Sequence, residues 1–196
     1  MQALAIRCLD IIISFTLLTI LSPILLIIGI AVMQFMGSPV LFRQERLGVK
    51  RRKFTILKFR TMRVEALKLD SALTKVNEYT IKVKNDPRVT PLGEFLRKTS
   101  LDELPQLINV LRGDMSLVGP RPFVTEEYTA FPELWFQRLN VKPGVTGLAQ
   151  ISGRSDLPMV NIIDRDLQWA KNISVKLYFK ILIQTGMFVF SMKNVY

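Results

Sequence analysis

From Ile11 to Phe42 the chain carries no charged side chain, and Ile, Leu and Val dominate the run. Gly37-Ser38-Pro39 is a stop signal, so the pattern predicts one apolar helix over Ile11–Met36. A straight helix of that length would reach about 39 Å, enough to cross a bilayer with tilt. The run is too long for a cleaved signal peptide, and no small-residue cleavage site follows it. Ser22-Pro23 lies near its midpoint. Pro23 cannot donate to the carbonyl of Thr19, so a kink is expected there, with the Ser22 hydroxyl available to that carbonyl. A kinked span and a hairpin returning to its own face both satisfy this pattern. The basic residues that follow (Arg43, Arg46, Lys50–Lys53) are compatible with the span, which the residues alone favour.

Beyond the apolar run, short alternating segments around a polar Gly48–Arg52 turn predict a β-hairpin within Pro39–Met62. Apolar residues at helical spacing predict an amphipathic helix over Val64–Val76. Further helices are expected at Ser100–Leu111, stopped by Gly113, and at Thr125–Leu139 and Val160–Asn172. Ile173–Met192 mixes Lys176 and Lys180 with apolar residues and suits either a membrane surface or burial against the domain. The fold class is therefore α+β, mainly helical with a small β-hairpin. Residues 1–37 form the membrane element and 38–196 a single further domain.

Composition narrows the chemistry. The 196 residues carry a net charge of +11, with Lys and Arg outnumbering acids 27 to 16. Such a balance selects anionic lipid, phosphorylated substrates or nucleic acid. Without an aromatic-rich basic strand or zinc-ligand spacing, nucleic acid is not expected as a partner. Histidine is absent, which removes His-dependent nucleophiles and most zinc sites. A single cysteine, Cys8, excludes an intramolecular disulfide. Carboxylates, Lys, Arg, hydroxyls or a hard metal on oxygen ligands remain.

The acids of interest are Asp102 and Glu103. Ser100-Leu101-Asp102-Glu103 matches a capping box, with Ser100 as N-cap, a pattern that also opens many inert helices. Pro105 sits where it would crowd the Leu101 carbonyl, so this first turn is not optimised for stability alone. Adjacent helical residues do not face each other, so Asp102 and Glu103 should take different roles. Gly119-Pro120-Arg121-Pro122 follows, a rigid loop that pre-positions a guanidinium suited to phosphate. Lys142–Gly147 is a glycine-rich loop able to approach a ligand, although it lacks the ending of a P-loop. Gln150 and Arg154 stand behind it, within reach of a nucleotide or diphosphate.

Four segments together resemble a known family: KFRTM (Lys58–Met62), NDPRVT (Asn85–Thr90), LRKTSLDELPQLINVLRGDMSLVGPRP (Leu96–Pro122) and KPGVTGLAQISGR (Lys142–Arg154). Their order and content are similar to the bacterial sugar transferases, the monotopic phosphoglycosyl transferases. The resemblance implies transfer of a sugar-1-phosphate from a UDP-sugar to a polyprenol phosphate, on the cytoplasmic face of the bacterial inner membrane. It also implies that the N-terminal helix is re-entrant and broken at Ser22 and Pro23, reversing the preference for a span. The lipid-facing parts would then meet anionic membrane lipids. By the same resemblance Asp102 is the nucleophile, and Mg²⁺ or Mn²⁺ sits on Asp102 and the diphosphate. Glu103 would position or activate the incoming lipid phosphate. Lys58, Arg60, Arg88, Pro120, Arg121 and Pro122 are carried over as substrate or phosphate contacts. The C-terminal part departs from the family, because Tyr178 stands where an acid is usual and Asp166 is retained nearby. Catalytic roles for C-terminal acids are thereby in doubt. A non-catalytic basic scaffold on the membrane surface would also explain charge and anchor, but not the acidic pair among arginines.

Overall fold

The computed structural model describes residues 2–64, 86–153 and 157–191. Helix α1 runs from Gln2 to Met36 and is the one helix, among the described residues, long and apolar enough to cross a membrane. Its backbone is helical through Pro23. The Ser22 hydroxyl donates to the Thr19 carbonyl at 2.8 Å, supplying the partner that Pro23 cannot. The buried positions of α1 fall into two groups. Ile6, Asp10 and Ser14 recur at four-residue spacing near the start, and Ile28 and Val32 do so near the end. Between them Phe15, Ile20, Ile24, Leu26 and Ile27 are exposed large hydrophobics. Apolar surface of this extent requires a lipid or protein covering, so the chain associates with membrane through α1.

Strands β1 (Leu41–Leu47) and β2 (Lys53–Phe59) form the expected antiparallel hairpin, paired from Leu41 with Phe59 to Leu47 with Lys53. Helix α2 (Pro91–Lys98) is capped by Thr90, whose hydroxyl accepts from the Gly93 amide at 3.0 Å. A 3₁₀ turn at Leu101–Glu103 leads to α3 (Gln106–Arg112), which ends on Gly113 in the left-handed region. Strand β3 (Ser116–Val118) pairs in parallel with β4 (Gly144–Thr146). After α4 (Leu148–Ile151) come α5 (Met159–Lys171) and α6 (Val175–Ser191), both within two residues of the predicted bounds.

Thr125–Leu139 is not one helix. It forms 3₁₀ segments at Thr125–Ala130 and Glu133–Asn140, separated at Phe131-Pro132 because Pro132 pulls its predecessor into extended conformation. The helix expected over Val64–Val76 lies outside the described residues, apart from Val64 itself.

The main core joins Ile6 of α1 to Leu107 and Val110 of α3, Leu117 of β3, Trp169 of α5 and Tyr178 and Ile181 of α6. A second core packs Ile28 and Val32 of α1 on Phe59 and Leu96. Polar contacts reinforce both. Asp10 accepts from the Ser116 hydroxyl, the Leu117 amide and the Tyr178 hydroxyl at 2.9–3.0 Å. Arg7 donates to the Val110 and Leu111 carbonyls at the end of α3 (2.6 and 2.8 Å). Arg60 donates to the Met36 and Gly37 carbonyls at the end of α1 (2.6 and 2.5 Å). These carbonyls lie at helix C-termini, where intrahelical donors run out, although Val110 also accepts from the Gly113 amide at 3.0 Å, and a guanidinium complements that end of the helix dipole.

Candidate active site

Ser100 does not cap a helix. It adopts φ +58°, in the left-handed region that non-glycine residues rarely occupy, and its side chain makes no capping bond. The expected continuous helix is instead a 3₁₀ turn followed by α3, with Pro105 at the junction. The turn sends Asp102 and Glu103 to different environments. Asp102 is buried, and among the described residues no group hydrogen-bonds its carboxylate. Glu103 faces cations: Lys58 Nζ lies 2.8 Å and Arg121 Nη1 3.3 Å from its Oε1.

These surroundings separate the titrations of the two acids. Burial and the neighbouring Glu103 charge push Asp102 up to about 6, against the pull of Lys58, Arg97 and Arg121. Desolvation thus dominates at this short, buried turn. For Glu103, burial alone would raise the carboxyl, but Lys58 and Arg121 outweigh it and hold it well below the carboxylate range. Burial lowers Lys58, with Glu103 acting in the other direction.

A small cleft gathers Lys58, Glu103, Arg121 and Pro122 with Gln106, Arg46 and the backbone of Gly144 and Val145. Four of the residues predicted to form the site therefore meet here, beside Asp102. Pro120 takes part through its backbone, its carbonyl accepting from the Gly144 amide at 2.9 Å. The glycines of Lys142–Gly147 permit this close backbone contact, and Gly144 also lines the cleft. A Cβ on Gly144 would fall 2.0 Å from the Gly119 nitrogen, and one on Gly119 2.3 Å from the Lys142 carbonyl oxygen.

Other predicted residues are placed differently. Arg60 is buried and engaged at the end of α1, as described above. Arg88 grips Asp86 in a fork at 2.7–3.0 Å. That fork holds Asp86 below its ordinary value. Gln150, on α4, has both amide atoms buried with no partner. Arg154 lies outside the described residues. Asp166 is buried on α5 in an ion pair with Arg138 at 2.5 Å, and Tyr178 is fully buried against Asp10.

Sequence reasoning passed over Arg138, Arg46 and Gln106. Arg138 is completely buried, stacks 4.1 Å over the Phe123 ring, and donates to Asp166, the Tyr128 hydroxyl and the Arg121 carbonyl (2.6 Å). It therefore fixes the backbone that presents Arg121. Arg46 donates to the Pro122 carbonyl at 2.9 Å from the other side. Asn109 anchors β2 to α3, accepting from Leu57 N and donating to the Thr55 carbonyl. Each of these acts across tens of residues of sequence, which motif spacing cannot display.

An acidic pair thus stands beside clustered cations on a domain tied to an apolar helix. Residues 1–192 match the family model described as "Bacterial sugar transferase", and the chain belongs to that family. It is 39% identical over 197 residues to the undecaprenyl-phosphate galactose phosphotransferase of Salmonella typhimurium LT2, covering 97% of this chain and 41% of that protein. Identity is 41% over 187 residues to the UDP-glucose:undecaprenyl-phosphate glucose-1-phosphate transferase of Escherichia coli K12, covering 91% and 39%. The exopolysaccharide production protein ExoY of Rhizobium meliloti 1021 is 39% identical over 176 residues, covering 86% and 78%. The chain thus spans about two-fifths of the length of most of these curated relatives.

Proposed function

We propose that the chain is a phosphoglycosyl transferase that moves a sugar-1-phosphate from a UDP-sugar to undecaprenyl phosphate or a similar polyprenol phosphate, in polysaccharide assembly. The names of its relatives support the substrates. The observation that carries the chemistry is the division between Asp102, buried with no hydrogen bond to its carboxylate among the described residues, and Glu103, clamped by Lys58 and Arg121. A carboxylate without hydrogen bonds keeps its lone pairs for attack. An Asp102 oxygen bonds to the sugar-bearing phosphorus, the bond to the UMP oxygen breaks, and UMP leaves. An oxygen of the lipid phosphate then attacks that phosphorus and Asp102 departs as carboxylate, dividing one hard displacement into two. Lys58 and Arg121 neutralise the phosphate oxygens while Glu103 holds both cations in register. So depressed a carboxyl is a poor proton acceptor, so Glu103 acts on the lipid phosphate through the Lys58 and Arg121 that it orients.

Among the described residues no group of three acids, Cys or His is arranged to cage a metal. Mg²⁺ or Mn²⁺ fits the site nevertheless, because such ions are commonly held by one or two carboxylates plus substrate phosphates. Asp102 would hold it, and the ion would supply charge neutralisation at the diphosphate. Purified protein in detergent should release UMP, not UDP, from UDP-glucose or UDP-galactose when polyprenol phosphate is added. EDTA should reduce turnover at least tenfold, reversibly on adding Mg²⁺. Release of UDP would replace this reading with simple glycosyl transfer, and full activity in chelator would remove the ion.

For α1 we favour the re-entrant arrangement, on the cytoplasmic face of the inner membrane. Both ends of the helix engage the same domain through Asp10 and Arg60, while the stretch around Ser22-Pro23 is exposed. A crossing helix would carry one of those ends about 30 Å away, to the opposite face. Cysteines placed at positions 2 and 50 in a Cys8-free background should both resist membrane-impermeant reagents applied from outside. Labelling at position 2 alone would restore the span.

A further inference from the structure

The cleft beside Asp102 contains buried donors that the fold leaves without acceptors. Gln106, the first residue of α3, is 2% exposed, and its Nε2 has no hydrogen-bond partner among the described residues. Arg46 uses Nη1 on the Pro122 carbonyl and Nη2 on Gln44, but its buried Nε is also unpartnered. Both side chains line the cleft that holds Lys58, Glu103 and Arg121. A buried polar hydrogen left unpaired is costly, and in native proteins such groups are few. When two converge on one cleft, the economical explanation is an incoming ligand that completes them.

The chemistry of the donors defines that ligand. An arginine Nε–H and an amide NH₂ offer hydrogens only, so their partner must be an acceptor. Lys58 and Arg121 already meet Glu103, and Arg46 adds positive charge to the same wall. The acceptor must therefore be anionic, and phosphate oxygens present it in several directions at once. We infer that Arg46 and Gln106 are substrate-binding residues that grip the diphosphate of the nucleotide-sugar donor, through Arg46 Nε and Gln106 Nε2. The inference rests on the transferase reading above and adds binding residues to it. The burial that depresses Arg46 to about 10 leaves it cationic at neutral pH, with Arg121 contributing to the shift.

The test compares UDP with uridine, which share a base and ribose but differ in phosphate. Gln106→Met keeps shape and removes the amide, and Arg46→Lys keeps the charge and removes Nε. Calorimetry for UDP and ligand-observed NMR for uridine should find UDP bound at least tenfold more weakly by either variant, with uridine within twofold of wild type. Ligand-free Gln106→Met should melt at or above the wild-type temperature, because an unsatisfied donor has been removed. UDP affinity within twofold of wild type would overturn the assignment. So would a parallel loss of uridine, or a fall of several degrees in ligand-free melting. UMP release by the wild-type protein, measured alongside, reports separately on the transferase reading. If release is absent while the phosphate-dependent loss persists, the binding residues stand and the reaction does not.

Discussion

Asp102→Asn should lose on the order of 10³-fold or more in UMP release, because an amide cannot act as the nucleophile. The same variant should gain stability. In metal-free protein the Asp102 carboxyl titrates near 6, above its ordinary 3.8. Between those values the folded state holds a proton that the unfolded state has released. Stability therefore falls as pH rises through that window, and the ionised form at pH 7.5 carries a cost of roughly 2–3 kcal/mol. Asparagine mimics the protonated acid and removes the cost. In EDTA at pH 7.5 the variant should melt several degrees higher than wild type, with the gap closing towards pH 4. Intact mass after incubation with UDP-sugar, without lipid phosphate, should show a phosphosugar adduct on wild type alone. Substantial turnover by the variant, or an adduct mapped to Glu103, would reassign the nucleophile. An unchanged melting temperature would mean that Asp102 is better solvated than its burial indicates.

Arg138→Met should be the most damaging change outside the cleft. It strands Asp166 in a site where both partners are almost wholly inaccessible, at a cost of about 3–5 kcal/mol. It also frees the Arg121 carbonyl and the Tyr128 hydroxyl. Pairing it with Asp166→Leu removes the stranded charge, so the double variant should recover most of the lost stability. Activity should not return with it, since the Arg121 carbonyl still lacks the donor that Arg138 supplies. The comparison of melting temperature and kcat/KM for the single and double variants separates the two effects. Recovery of both together would make the ion pair a matter of stability alone and give Arg138 no part in positioning.

Much of this architecture was legible from residue order. The hairpin, its Gly48–Arg52 turn, α5 and α6 follow from local alternation or helical spacing, and each fell close to its predicted bounds. Local rules failed where tertiary geometry prevailed. The capping-box pattern at Ser100 was sound chemistry, yet Lys58 and Arg121 draw Glu103 away from the Ser100 amide. Pro132 was a readable break that strong apolar spacing on either side obscured. Strands β3 and β4 have three residues each, too few for a period to register. Within the site, Asp102, Glu103, Lys58 and Arg121 could be nominated because motifs mark them. Arg46 and Arg138 could not, since both reach their partners across loops distant in sequence. Asp166, the retained C-terminal acid, is the ion-pair partner of Arg138.

Arginines close both helix ends at the seam between α1 and the rest of the chain: Arg7 of α1 caps α3, and Arg60 of the hairpin caps α1. The membrane element and the catalytic body thus lend each other terminal hydrogen bonds, and neither is an attachment to the other. A version cut back to residue 38 for the sake of solubility would forfeit Asp10, Ile6 and Arg7 at one edge and Val32 at another. The Leu117 amide would lose its acceptor, and the buried Arg60 would lose both of the carbonyls it now serves. Such a fragment should behave as a partly folded, aggregating species by circular dichroism and size-exclusion chromatography. Solubility in this molecule has to be sought by redesigning the lipid-facing residues between Phe15 and Ile27, with both ends of the helix left in place.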